Sequence, residues 1–286
     1  MTKLLLIRGL GHSGTTILDL ALGAHPQMVG LGEAARILER PSPEDAHRGP
    51  AQLRGTLRFE RRCTCGEIAA DCPVWGPVLE WLPEHDDCPL AVKMKRLIAV
   101  LEKVHASASS PTSWVIDSYQ GDFTLPFEQV SDLDIRVIHL TRDLRSWVHS
   151  RARSGRESGR WLPGLKPMLR WCWMNARHER LLQKCPHPVL RLGYEQLALD
   201  PEGTLGRICA WLGLEMSEQM LQPGSFSTSH LLSGNRMRFD AKSSAAIRYD
   251  ASWMEAPSGL AQVALGVPWV AALNRRLVYS VTSDPR

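Results

Sequence analysis

No run of apolar residues in this 286-residue chain approaches the eighteen or more that a membrane helix needs. The opening Met1-Thr2-Lys3, then Leu4-Leu5-Leu6-Ile7, is stopped by Arg8 and Gly9 too soon to make a signal peptide. It reads as a buried strand. A core that begins at residue 3 without an export signal is expected of a cytoplasmic protein, in which the seven cysteines stay reduced. Neither sign of charge predominates. Lys and Arg number 34 against 30 Asp and Glu, and the balance of +4 is too small for a protein that coats nucleic acid. Any anion site has to be built locally. Internal repeats and low-complexity tracts are also missing, which excludes solenoids and disordered linkers. What is left, 44% hydrophobic and 22% charged, is ordinary globular composition, long enough for one large core without demanding two domains.

Apolar runs with β-branched residues predict buried parallel strands at 3–8, 114–117, 135–140 and 189–192. Helical patterns separate them at 15–24, 90–106, 144–154, 167–184 and 201–212. Strands alternating with helices predict an α/β fold, a P-loop-like parallel β-sheet flanked by helices. Residues 1–286 read as a single domain with two interruptions. An irregular, Cys-containing insertion occupies 41–89, with one short helix near 73–81. Residues 220–286 are mixed, a polar segment followed by an apolar helix at 260–273.

The sharpest signal is Gly9-Leu10-Gly11-His12-Ser13-Gly14-Thr15-Thr16, which follows a strand and opens a helix. Glycines let the backbone curl so that successive N–H groups face one anion, and the helix dipole adds to the attraction. The plainer alternative is a glycine-rich turn without a ligand. The spacing from Gly9 to Gly14 matches an ATP-binding loop, but Thr15 stands where the lysine of such loops belongs. Phosphoryl transfer meets its heavy negative charge with that lysine and Mg²⁺. Sulfuryl transfer moves a less charged group, for which one cationic or hydrogen-bonding side chain suffices without a metal, and His12 is placed for that role.

The segment from His12-Ser13-Gly14-Thr15-Thr16-Ile17-Leu18 through Ala24-His25-Pro26-Gln27 to Gly32-Glu33 resembles the start of sulfotransferases that use 3′-phosphoadenosine 5′-phosphosulfate (PAPS). It is most similar to the tyrosylprotein sulfotransferases and their bacterial relatives, where an Arg or Lys usually stands in the place of His12. An imidazole there is a cation only below its pKa, ordinarily near 6.5. The resemblance implies that Gly11, His12, Ser13, Gly14, Thr15 and Thr16 hold the 5′-phosphosulfate. It also implies that Glu33 is the base that deprotonates an acceptor hydroxyl. Without the resemblance, Glu33 reads equally well as a carboxylate complementing a helix N-terminus.

PAPS also carries a 3′-phosphate, which needs a second anion site. Arg142, at the end of the strand Ile138-His139-Leu140-Thr141, offers a planar fork suited to phosphate oxygens, and Ser150 follows eight residues later. That spacing is similar to the family's 3′-phosphate motif; the alternative is a local Arg142–Asp143 ion pair. Tyr194-Glu195-Gln196-Leu197 resembles the family's Tyr-Glu-Asp-Leu segment, which implies contact between Tyr194 and adenine, although a buried tyrosine with a bonded hydroxyl explains it too. His230 with Gly234-Asn235-Arg236-Met237-Arg238 is similar to a late segment of bacterial sulfotransferases, in which Arg238 would close over the 3′-phosphate. After Trp114-Val115-Ile116-Asp117-Ser118 relatives often continue with Ser and Lys; here Tyr119 and Gln120 follow.

Cys63, Cys65 and Cys72 form a Cys-x-Cys-Gly cluster with a later Cys-Pro, and Cys88 and His85 lie nearby. Similar clusters mark bacterial sulfotransferases. The spacing departs from paired Cys-x-x-Cys zinc patterns and offers no evident fourth ligand, so reduced or disulfide-linked thiols come first and zinc second. Residues 154–164 are basic and glycine-rich and read as a mobile loop. The reading is therefore a PAPS-dependent sulfotransferase that needs no metal for catalysis and releases 3′-phosphoadenosine 5′-phosphate (PAP). Its acceptor bears a hydroxyl and has no motif that names it; neither nucleic acid nor membrane is an expected partner. A P-loop kinase and a non-catalytic nucleotide-binding regulator are the competing functions.

Overall fold

Each of the five strands among the described residues starts or ends within two residues of a turn former, and each is buried along most of its length. They are β1 (Lys3–Gly9), β2 (Met28–Gly30), β3 (Trp114–Asp117), β4 (Ile135–Thr141) and β5 (Val189–Gly193). The computed structural model describes residues 2–40, 54, 61–106, 111–121, 123–128, 132–153, 164–255 and 259–280. The strands form one parallel sheet in the order β2-β3-β1-β4-β5, flanked by helices. β1 pairs Lys3 with Trp114 and Leu6 with Asp117, and β4 pairs Val137 with Val189 and Thr141 with Gly193. Four strands lie where the apolar runs put them. β2 was not expected: three residues after Ala24-His25-Pro26-Gln27 carry too little pattern to stand out.

The helices Thr15–Leu22, Leu90–Val104, Leu144–Arg153, Leu165–Leu182 and Pro201–Leu212 fall on the predicted spans. Pro201–Leu212 shows why its ends are legible. Asp200 accepts a hydrogen bond from the amide of Gly203, Pro201 fills the first turn where no N–H is needed, and Gly213 leaves in the left-handed region at φ 75°. The apolar stretch 260–273 is a correction. It is two helices, Gly259–Leu265 and Pro268–Asn274, because Pro268 lacks an amide hydrogen and holds Val267 extended at φ −80°, ψ 119°. In the insertion the helix Trp75–Trp81 is present. Residues 41–53 and 55–60 of the expected insertion, and 154–163 of the expected mobile loop, lie outside the described residues.

By contacts the chain divides into two units, each gathered from three stretches. The first comprises residues 1–7, 16–136 and 215–246. Its core includes Leu4, Leu5, Ile37, Leu38, Trp75, Met94, Leu97, Leu101, Val115 and Ile116. The second comprises residues 8–15, 137–214 and 247–286. There Leu10, Leu144, Trp147, Val148, Trp171, Leu273, Leu277 and Val278 pack into one cluster.

Candidate functional site

Gly9 ends β1 against β4: a Cβ on it would sit 2.2 Å from the carbonyl oxygen of Leu140, an approach only glycine permits. The chain then curls through two left-handed residues, His12 at φ 74° and Gly14 at φ 91°. Histidine is among the few side chains found there with some frequency. The amide of Ser13 donates to Leu10 O at 3.1 Å, and Trp147 Nε1 donates to Gly11 O at 2.8 Å, so the curl is fastened from inside and from the helix Leu144–Arg153. The helix that starts at Thr15 has first-turn amides without intrahelical acceptors. Ser13, Thr15 and Thr16 are buried. Thr16 belongs to the first unit, where its Oγ1 accepts from the amide of Asn235.

The strand order reverses between β1 and β4, the position where open α/β sheets bind ligands beyond their carboxyl ends. The loop leaving β1 and the Arg142 turn leaving β4 both belong to the second unit, and within it four of the expected residues converge. His12 Nδ1 lies 3.2 Å from Ser150 Oγ. Arg142 donates from one terminal nitrogen to His12 O at 3.3 Å and from Nε to Ser146 Oγ at 2.5 Å. Its other terminal nitrogen is 3.0 Å from Asp250 Oδ2. The guanidinium stacks over the Tyr194 ring at 4.6 Å, and that ring fills the space beside Gly14, where a Cβ would be 2.5 Å from Tyr194 Cδ2. Tyr194 donates its hydroxyl to Arg248 O.

The local Arg142–Asp143 pair is not what forms. Asp143 binds Arg145 instead, and also accepts from Asn274 and Tyr279. Burial opposes its charge, but these donors outweigh that and hold its carboxyl below the usual range. Arg142 therefore faces away from its sequence neighbour, toward the loop. Ser146, Trp147 and Asp250 were not foreseen. Ser146 and Ser150, four apart on one helix, had a helical-face signal; Asp250, 108 residues from Arg142, had none.

In the first unit Glu33 sits at the start of the helix Ala34–Leu38 but makes no capping bond with its side chain. Its Oε2 instead accepts from Arg36 at 2.9 Å and from Ser233 Oγ at 2.8 Å. Beneath it Gly32, at φ 66°, presents its amide to Asp19 Oδ2, which also accepts from Ser118 Oγ at 2.6 Å. Burial of Asp19 pushes its carboxyl up to about 8. Arg238 is buried, and its guanidinium donates to Leu232 O, Gly234 O and Asn235 O of its own segment. It holds its own turn with those bonds. Tyr119 donates to Glu39. The insertion's cysteines Cys63, Cys65 and Cys72 meet His230, a neighbour that their spacing does not reveal.

A glycine-rich loop between β1 and a helix, an arginine after the neighbouring strand and an order reversal between them belong to an α/β protein with a P-loop-like fold. The comparison with known families is specific. Residues 5–218 match the model of the Sulfotransferase family, and the chain belongs to that family of PAPS-dependent enzymes. It is similar to the sulfotransferase domain of the olefin synthase of Synechococcus PCC 7002, with a TM-score of 0.55 and 18% identity over 99% of this chain and 98% of that one. It also matches the sulfotransferase domain of the curacin biosynthetic pathway, with a TM-score of 0.48 and 13% identity over 99% of each chain. At 18% identity the olefin synthase domain shows the shared fold. No curated protein matches the chain. Among the described residues no helix is long and apolar enough to cross a membrane.

Proposed function

We propose that the chain transfers the sulfuryl group of PAPS to the hydroxyl of an acceptor and releases PAP. The observation that carries this reading is the meeting, in one unit, of His12, Arg142, Ser150 and Tyr194, residues that are 130 or more positions apart between loop and partners. The residues fit the nucleotide in three respects. Gly14 leaves out the Cβ that would displace Tyr194, the loop amides precede a helix, and Arg142 already binds an oxyanion, the Asp250 carboxylate. Asp250 is 40% exposed, so a phosphate can replace it on the same guanidinium.

On this reading the loop 9–16 holds the 5′-phosphosulfate, Arg142 and Ser150 hold the 3′-phosphate, and Tyr194 borders the adenosine. Bound PAPS supplies an electrophilic sulfur whose bond to the 5′-phosphate oxygen breaks as the acceptor oxygen bonds to it. His12 donates a hydrogen bond toward the 5′ end, where charge develops. Glu33 takes the proton of the acceptor hydroxyl.

The test is thermal stabilisation by PAP, ADP and ATP with Mg²⁺, since binding to the folded state raises the melting temperature by mass action. PAP is expected to stabilise far more than ADP. Arg142→Ala is expected to weaken PAP binding by roughly 1.5–3 kcal/mol, the range for hydrogen bonds to charged groups, and to leave ADP nearly unaffected. Stabilisation by ATP with Mg²⁺ and none by PAP would return the kinase reading. Release of PAP in the presence of hydroxyl acceptors separates the enzyme from a silent nucleotide binder.

A further inference from the structure

The stretch around Cys63-Thr64-Cys65-Gly66 is organised round sulfur. Cys63, Cys65 and Cys72 supply three thiols, and His230 reaches them from 158 residues beyond Cys72. One ligand atom from each of the four residues lies within 4.8 Å of the other three. Cys72 Sγ is 3.7 Å from Cys63 Sγ and 3.8 Å from Cys65 Sγ, and His230 Nδ1 is 3.3 Å from Cys72 Sγ and 3.8 Å from Cys63 Sγ. A disulfide brings its sulfurs to about 2.05 Å, so none of these pairs is one. Tetrahedral zinc, with Zn–S about 2.3 Å and Zn–N about 2.0–2.1 Å, sets edges of ~3.8 Å between sulfurs and ~3.6 Å between sulfur and nitrogen. The observed edges scatter around those values.

Thiols that merely filled a loop would have no reason to converge on one point with an imidazole nitrogen turned toward two of them. We propose that Cys63, Cys65, Cys72 and His230 bind a structural zinc ion. The backbone is shaped for it. Gly66, at φ 101°, turns the chain directly after Cys65, the Gly66 amide donates to Cys63 O, and the Cys63 amide donates to Glu67 O. The amide of Trp75 lies 3.5 Å from Cys72 Sγ, a contact that favours thiolate. Three thiolates and one neutral imidazole complete four-coordination and leave no open position, which is the arrangement of structural rather than catalytic zinc. Binding through Nδ1 places the imidazole proton on Nε2.

The ion would tie the cysteine loop to the segment that carries His230. Thr64 Oγ1 donates to Ser229 O at 2.5 Å and accepts from the amide of Leu231 at 2.9 Å. His230 N donates to Gly30 O, and three residues later Ser233 bonds Glu33. All of these residues belong to the first unit. The metal therefore supports the setting of Glu33 without touching a substrate.

The experiment is metal analysis of the full chain purified without chelator from zinc-supplemented culture. One zinc ion per chain is expected. Cys65→Ser, at an exposed position, is expected to fold and to lose the ion on dialysis, and His230→Ala to lose it as well. Cys88→Ser, outside the cluster, is expected to keep it. Cobalt added to the zinc-free chain is expected to give the intense visible absorption of tetrahedral thiolate coordination. These readouts need no sulfuryl transfer, so they stand or fall apart from the proposed activity. A metal-free chain whose three thiols all alkylate, a disulfide between two of them, or full zinc in Cys65→Ser overturns the proposal.

Discussion

Both hydrogen bonds to the Glu33 carboxylate reach one oxygen, Oε2, and they come from Arg36 and Ser233. Neither comes from the helix amides that a carboxylate at an N-terminus ordinarily caps. A residue whose task was to cap the helix Ala34–Leu38 would be turned the other way. Glu33→Gln keeps an oxygen for Ser233 and removes the charge, so folding and PAP binding are expected to persist. Single-turnover transfer is expected to fall by ~10²–10⁴, the usual contribution of a positioned acid or base. A Gln variant that turns over at the parental rate would leave Glu33 with only its bonds to Arg36 and Ser233.

In the loop between β1 and the helix Thr15–Leu22, one glycine is constrained twice over. Gly14 is left-handed at φ 91°, and the Tyr194 ring occupies the place of its missing Cβ. Gly14→Ala therefore incurs a left-handed penalty of roughly 1–2 kcal/mol and also pushes on the ring over which Arg142 stacks. The expected outcome is a lower melting temperature together with weaker PAP binding, read by calorimetry. Unchanged PAP affinity in a destabilised variant would separate Tyr194 from the nucleotide. The apolar stretch near the C-terminus carries the same lesson about single residues: Pro268 divides it into two helices despite continuous apolar character.

Across the whole molecule, two buried carboxyls and two buried histidines among the described residues weigh most on the pH dependence of stability. Burial pushes Asp19 up to about 8 and Glu195 up to about 7. Each keeps its proton in the folded chain after the unfolded chain has released it, so the native state binds more protons and stability falls as pH rises. The window runs from the ordinary carboxylate range, 3.8 for Asp19 and 4.5 for Glu195, up through those folded values. Asp143 and Asp250 act oppositely: burial opposes their charge, but their hydrogen-bond donors hold both below the usual range, and their contribution is lost in acid. Burial also holds His139 and His178 down to about 3, so below the ordinary histidine value of 6.5 the unfolded chain binds more protons there and stability rises with pH, offsetting the carboxyls. The melting temperature is thus expected to decline from about pH 6.5 to pH 8. Glu195→Gln and Asp19→Asn are each expected to flatten that decline. An equally steep decline in the double variant would place its origin elsewhere.

The sequence by itself determined the alternation of strands and helices, the loop after β1 and the arginine after β4. Those features are written in neighbouring residues: apolar period, glycine placement, and a charged group just past a strand. It was silent on β2, whose three residues are too few to show a period, and it joined two helices across Pro268 because apolar pattern outweighed one breaker. Tertiary structure alone decided the partners. Asp250 on Arg142, Ser233 on Glu33 and His230 among the cysteines are separated by 108, 200 and more than 150 residues. No local spacing encodes such pairs, because what brings them together is the burial of whole strands and helices, and the side chains meet only once that packing has fixed where each backbone runs.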